Sequence, residues 1–107
     1  MTSFRPDPPT LLGSRDPKTG QVYFPPRALA TDGSLRECEP VDLSRTGVLY
    51  SHTTMGTTVY GQIDLPEKVR VQSTLAPGQP PEIGAPYRLE AVTDEGGAVT
   101  GWRFARA

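Results

Sequence analysis

The sequence predicts an all-β protein in which a loop-rich N-terminal lobe precedes a small barrel of five strands. Three observations carry that expectation. Twelve prolines and eleven glycines in 107 residues disfavour long helices, because proline lacks a backbone donor and clashes with the preceding helical turn. Segments within residues 46–75 alternate at period two, the spacing of strands with one buried face. Beyond residue 86, two more such runs flank the turn sequence DEGG.

In chain order, residues 1–10 (MTSFRPDPPT) carry three prolines and only Phe4 as a large aromatic anchor. They are expected as an extended leader that orders only against something else. Residues 11–34 form the lobe: DPKTG (16–20) and TDGS (31–34) are turn sequences on either side of VYFPPR (22–27), which supplies one short strand. Residues 35–107 form the barrel domain.

In TGVLYSHTTM (46–55), Val48, Tyr50, His52 and Thr54 share one face and Leu49, Ser51, Thr53 and Met55 the other. TVYGQIDL (58–65) and KVRVQSTL (68–75) complete a meander, with Val69, Val71, Ser73 and Leu75 on one side. After the connection APGQPPEIGAP (76–86), YRLEAVT (87–93) and AVTGWRFA (98–105) pair as a hairpin. RECEPVDL (36–43) is a candidate lead-in strand. Gly61 and Gly101 stand where a closing sheet needs to bend. Five strands split three and two match an OB-type (oligonucleotide/oligosaccharide-binding) barrel, with a flat sheet or an SH3-like barrel as the alternatives.

Composition narrows function. A net charge of −1 provides no basic face for a phosphate polymer, which argues against nucleic-acid binding. Cys38 is the only cysteine, so no internal disulfide and no cysteine-based metal cage can form. No stretch reads as an export signal, and none of about 20 apolar residues reads as a membrane span. The expected setting is the cytoplasm, without membrane contact.

No catalytic set emerges. His52 is the only histidine, and neighbouring Ser51 points to the opposite face of the strand, so the pair does not build a relay; a structural histidine is the default. Asp64 and Glu67 flank Pro66 in a tight connection, where a turn role outweighs acid–base chemistry. Cys38 lies between Glu37 and Glu39, which offer a thiolate no stabilising charge, and is read as inert. The aromatic residues are expected mostly in the core, with some left as stacking surface.

The order of LLGSRDPKTGQVYFPPRALATDGS, GVLYSHTTM, YGQIDLPEKVRV and IGAPYRLEAV resembles the DUF35 family, proteins with a zinc ribbon and an OB fold that accompany thiolase-superfamily enzymes. FPPR (24–27), Gly47–Ser51 and IDLPEKVRV (63–71) carry the resemblance, which covers residues 11–105. It implies an OB-fold barrel preceded by a zinc-ribbon-like lobe. In most members two close pairs of cysteines flank FPPR and hold zinc. Here those places fall near Asp16 and Thr19, and near Leu29 or Ala30 and Asp32, so the lobe is expected to be degenerate and metal-free. Asp16 and Asp32 are read as turn caps in preference to oxygen ligands.

The resemblance further implies a non-catalytic accessory subunit, not itself an enzyme. It would bind a thiolase-like or lipid-transfer-protein-type partner in a hetero-oligomer and help present acyl-CoA for carbon–carbon bond formation or cleavage. No covalent or metal cofactor is expected, with acyl-CoA as a shared ligand. The candidates for coenzyme or partner contact are Phe24, Pro25, Pro26 and Arg27 in the lobe, and Tyr60 and Arg70 on the barrel. Proline stiffness would hold FPPR extended, Phe24 would cover an apolar surface, and Arg27 would pair with a phosphate or carboxylate or remain a solvated surface arginine. The alternative is a stand-alone OB module for single-stranded nucleic acid.

Overall fold

The computed structural model describes residues 3–107, whose regular structure consists of nine strands in two sheets. In the first sheet, β2 (Pro9–Arg15) pairs with β1 (Phe4–Pro6), β3 (Val22–Tyr23) and β4 (Glu39–Asp42), all antiparallel. The second sheet contains β5 (Thr46–Met55), β6 (Thr58–Asp64), β7 (Arg70–Thr74), β8 (Pro86–Thr93) and β9 (Val99–Arg106) in the order β7-β6-β5-β8-β9.

That order is the predicted meander extended by the predicted hairpin, and it closes on itself. Leu75, just past β7, forms a parallel bridge with Phe104 of β9, and the Ala76 amide donates to the Phe104 carbonyl at 2.9 Å. Closure removes most of the exposed edge of the sheet. The result is a five-stranded OB barrel.

The period-two pattern explains which side chains fill it. Val69, Val71, Ser73 and Leu75 are all buried, as their shared face requires, and Leu49, Ile63, Tyr87, Leu89 and Phe104 meet them inside. Burying side chains of this size contributes roughly 1.5–3 kcal/mol each. Along β5 the alternation breaks at Tyr50: Leu49 faces Ile63 and Ser51 faces Gln62, leaving Tyr50 as an extra residue in a bulge. It is 51% exposed. Among the aromatics only Tyr87 and Phe104 are fully buried, fewer than expected, because the barrel interior is narrow and Leu, Ile and Val already fill it.

Gly61 is a point of close approach. A Cβ there would lie 2.9 Å from side-chain carbons of Leu49 and Leu75. Gly101 meets nothing within 4 Å; it sits instead beside a register shift in the β8–β9 pair, where extra twist is introduced.

The N-terminal part differs from expectation in three ways. Phe4–Pro6 pairs with Pro9–Leu11, so part of the expected leader is a hairpin strand and β2 runs across the 10/11 boundary. Residues 39–42 join β2 of the lobe, not the barrel, since antiparallel pairing with β2 satisfies their backbone groups there. Finally, Leu11 and Leu43 are buried in the same cluster as the barrel residues, so the 34/35 boundary separates no two cores. It falls inside a closed loop, in which the Ala30 amide donates to the Arg36 carbonyl at 2.9 Å.

Candidate functional site

The lobe is built from two turns brought together by one arginine. In the first, the Gly20 amide donates to the Asp16 carbonyl at 2.8 Å, and the Asp16 side chain accepts from the Lys18 amide at 3.0 Å. In the second, Asp32 Oδ1 accepts from the Ser34 amide at 3.0 Å. Both aspartates are thus turn caps, as the sequence indicated. The Arg36 guanidinium then bridges them, donating to Asp16 Oδ1 and Oδ2 at 2.9 and 2.7 Å and to Asp32 Oδ2 at 2.8 Å. Asp16 is 1% exposed. Hydrogen bonding from Arg36 holds its carboxyl far below the usual carboxylate range, against the opposing effect of burial, and bonding to Ser34 lowers Asp32. Arg36 is raised by Asp16 in return.

Phe24–Arg27 crosses this lobe, and its four residues separate. Phe24 turns toward the barrel and meets Trp102 edge to face, with ring centroids 6.1 Å apart, while Trp102 meets Phe104 in the same manner at 6.5 Å. Phe24 therefore covers an apolar surface of this chain's own barrel. Pro25 is exposed. β3 ends at Tyr23 and the chain bends at Phe24 and Pro25, so the stretch is not the extended polyproline run the sequence suggested.

Pro26 and Arg27 lie on the other side. The Arg27 amide donates to the buried Ser14 hydroxyl at 2.7 Å, which fixes the backbone against β2. Its side chain is exposed, with the guanidinium carbon 6.0 Å from the Tyr23 ring centroid, and it makes no ion pair with any described residue. Together with Leu12, Pro26, Cys38, Pro40 and Val41 it lines a groove of about 300 Å³ on the outer face of the first sheet. The Arg5–Asp42 ion pair, at 2.7 Å, also stands in its wall. The groove offers an apolar floor and one uncompensated cation, which suits an extended group carrying a carboxylate or phosphate.

The two barrel candidates are apart from this groove and from each other. Tyr60 is half-buried on β6, opposite Thr74, in a hollow of about 160 Å³ that it shares with His52, Gln62 and Gln72. Arg70 lies opposite Asp64, four positions along the same strand pair, or about 13 Å at the rise of a strand. Its guanidinium donates to both Asp64 oxygens at 2.6 and 3.2 Å and stacks 3.4 Å from the centroid of Tyr50. That bonding holds the Asp64 carboxyl below its ordinary value and raises Arg70.

Asp64 and Glu67 do not face each other as an acid–base pair. Glu67 accepts from the Ser44 amide at 3.0 Å and from its hydroxyl at 2.6 Å, tying the β6–β7 turn to the end of the lobe.

One cavity escaped sequence reading. The proline-rich connection, with Val59, Leu75, Tyr87 and Ala105, lines an open hollow of about 670 Å³. Arg103 and Arg106 stand in its wall, but each is matched by an acid, Glu90 at 3.0 Å and Glu82 respectively. Nothing in a segment read as a connection signals a cavity, because the cavity exists only once β7 and β9 meet.

No helix among the described residues is long and apolar enough to cross a membrane, and no group of three or more potential ligand residues among them is placed to hold a metal ion. No family model matches the sequence, and no curated protein matches it. Among solved structures it superposes on a chain of the Ltp2-ChsH2(DUF35) aldolase with a TM-score of 0.72 at 19% sequence identity, covering 91% of this chain and 84% of that one. The fold is thus a DUF35-like fold. One expectation is corrected by the same finding: a non-catalytic chain, no enzyme, does not stand beside a structural neighbour that is an aldolase.

Proposed function

We propose that this chain is a subunit of a multi-chain enzyme that forms or cleaves carbon–carbon bonds, assembled with a thiolase-like or lipid-transfer-protein-type chain and handling acyl-CoA. The observation that carries the reading is the superposition over nine-tenths of the chain on a component of an aldolase assembly. The groove beside Arg27 supports it, since an apolar floor ending at an uncompensated guanidinium fits a partner segment or a ligand with an oxyanion. Arg70 is a weaker candidate for the same contact, because its guanidinium is already matched by Asp64 and stacked on Tyr50. In this reading the lobe carries no metal of its own, because both aspartates at the former thiolate positions are engaged on Arg36. The setting is the cytoplasm, where a single thiol such as Cys38 stays reduced.

The test is co-expression of the full chain with thiolase-like chains of the same genome, followed by co-purification and an assay of carbon–carbon bond cleavage on an acyl-CoA substrate. A stable complex whose turnover falls on Arg27→Ala supports the reading. Separate elution of the two chains, with turnover indifferent to this subunit, refutes it. Deleting residues 1–34 is a poor substitute, since Leu11 belongs to the buried core.

A further inference from the structure

The second turn of the lobe ends in an unusual residue. Leu35 has φ of 59°, the left-handed region where a bulky side chain is rare and costs free energy. Six other positions with positive φ are glycines, Gly20 and Gly33 of the same lobe among them. The remaining exception, Lys68, needs no cover: its amide closes the turn onto the Leu65 carbonyl at 3.0 Å, and its side chain is exposed and charged. Leu35 is 71% exposed, so contacts within the chain do little to offset its conformation. A glycine there would fit the backbone better, and the leucine gives this fold almost nothing.

The loop is nevertheless held firmly. Arg36, the next residue, is fixed by its bonds to Asp16 and Asp32, and its amide donates to the Ser34 hydroxyl at 3.2 Å. Leu29, 40% exposed, is bridged to Glu37 at the base of the same hairpin. A strained, exposed apolar side chain on a rigid support is the form of an interface anchor, which gives most when no ordering is required on binding. The unpaired charge on this hairpin is negative: Asp32 is paired with Arg36, whereas Glu37 makes no ion pair with any described residue.

We propose that Leu35, with Leu29 on the same hairpin, enters an apolar socket with a basic rim on the partner subunit. This rests on the reading that the chain works in a multi-chain assembly, and it names the point of grip.

The experiment uses the full chain and a thiolase-like chain of the same genome, with affinity and association rate measured on the pair and melting measured on the free chain. Leu35→Gly raises the Tm of the free chain by a few degrees, since glycine relieves the left-handed backbone, and weakens the complex by about tenfold or more. Leu35→Asp weakens it further, and Glu37→Lys slows association. Met55→Ser, at the exposed β5–β6 hairpin tip, leaves affinity unchanged. Leucine variants that bind within about twofold of wild type overturn the anchor and leave the assembly reading intact. A lower Tm for Leu35→Gly also overturns it, because the leucine would then be serving its own fold. A wild-type chain that forms no complex removes the assembly reading and the anchor together.

Discussion

Arg36 lies in bidentate contact with Asp16, Nε to Oδ1 at 2.9 Å and a terminal nitrogen to Oδ2 at 2.7 Å, across twenty residues of sequence. Because Asp16 is withdrawn from water, the pair is tightly conditional on both members. Removing one partner leaves an uncompensated charge, which destabilises far more than removing both. Arg36→Met is expected to lower the Tm by on the order of 10 °C, and the double variant Asp16→Asn/Arg36→Met to recover part of that loss. Thermal unfolding followed by circular dichroism decides it; a single variant as stable as wild type would show that the pair does not hold the lobe.

The pH dependence follows from the same contact. The Asp16 and Asp32 carboxyls are lowered in the folded chain, while an unfolded aspartate titrates near about 3.9. A lowered acid stabilises the fold above its unfolded value and loses that contribution as pH falls through the folded one. Wild type is therefore expected to lose stability steadily below about pH 4. Asp16→Asn, less stable at neutral pH, is expected to show a shallower acid limb. Parallel acid limbs would place the titrating groups elsewhere.

Metal removal is expected to do nothing. Exhaustive treatment with a chelator leaves the melting curve unchanged, and elemental analysis of the purified chain returns far less than one zinc per molecule, because the lobe's two turns are joined by Arg36. Stoichiometric zinc, or a melting temperature that collapses with chelator, is the contrary result.

Phe24→Ala is expected to loosen the contact between lobe and barrel. The half-buried ring meets Trp102 edge to face, so its loss costs about 1–3 kcal/mol of burial and aromatic contact. Trp102 is the only tryptophan, and its emission should shift to longer wavelength as water gains access. An unshifted spectrum would mean that Phe24 does not shield it.

Gly47→Ala tests how closely β5 and β6 approach. The added methyl would lie 2.6 Å from the Asp64 carbonyl oxygen and from an Ile63 side-chain carbon, an overlap that costs roughly 1–3 kcal/mol. Gly101→Ala, where nothing lies within 4 Å, serves as the neutral comparison in the same denaturant titration.

The barrel was legible because its signal is local. Alternation in 46–75 and 87–105 fixed the faces, and turn residues fixed the breaks, so the meander and hairpin emerged nearly residue for residue. Tyr50 lies outward with Val48 as the alternation placed it, but the bulge there was missed because it is invisible to a strict period of two. Arg36 was missed for a different reason: its partners lie four and twenty residues away, and no local pattern distinguishes a clamping arginine from a solvated one. The available signal was a pair of capping aspartates with an arginine nearby and no thiolates, a combination that asks what neutralises the acids. Of the candidate contacts, Phe24 proved to face this chain's own barrel while Arg27 remained outward.

The seam between Leu75 and Phe104 has a consequence for how the molecule comes into being. A ribosome delivers the chain from its amino end, and residues 46–75 can form their three-stranded ribbon as soon as they emerge. That ribbon nonetheless waits with its apolar face bare until residue 104 is outside the exit tunnel. During this interval it is most exposed to non-native pairing, and a chaperone that shields nascent strands would act on it there.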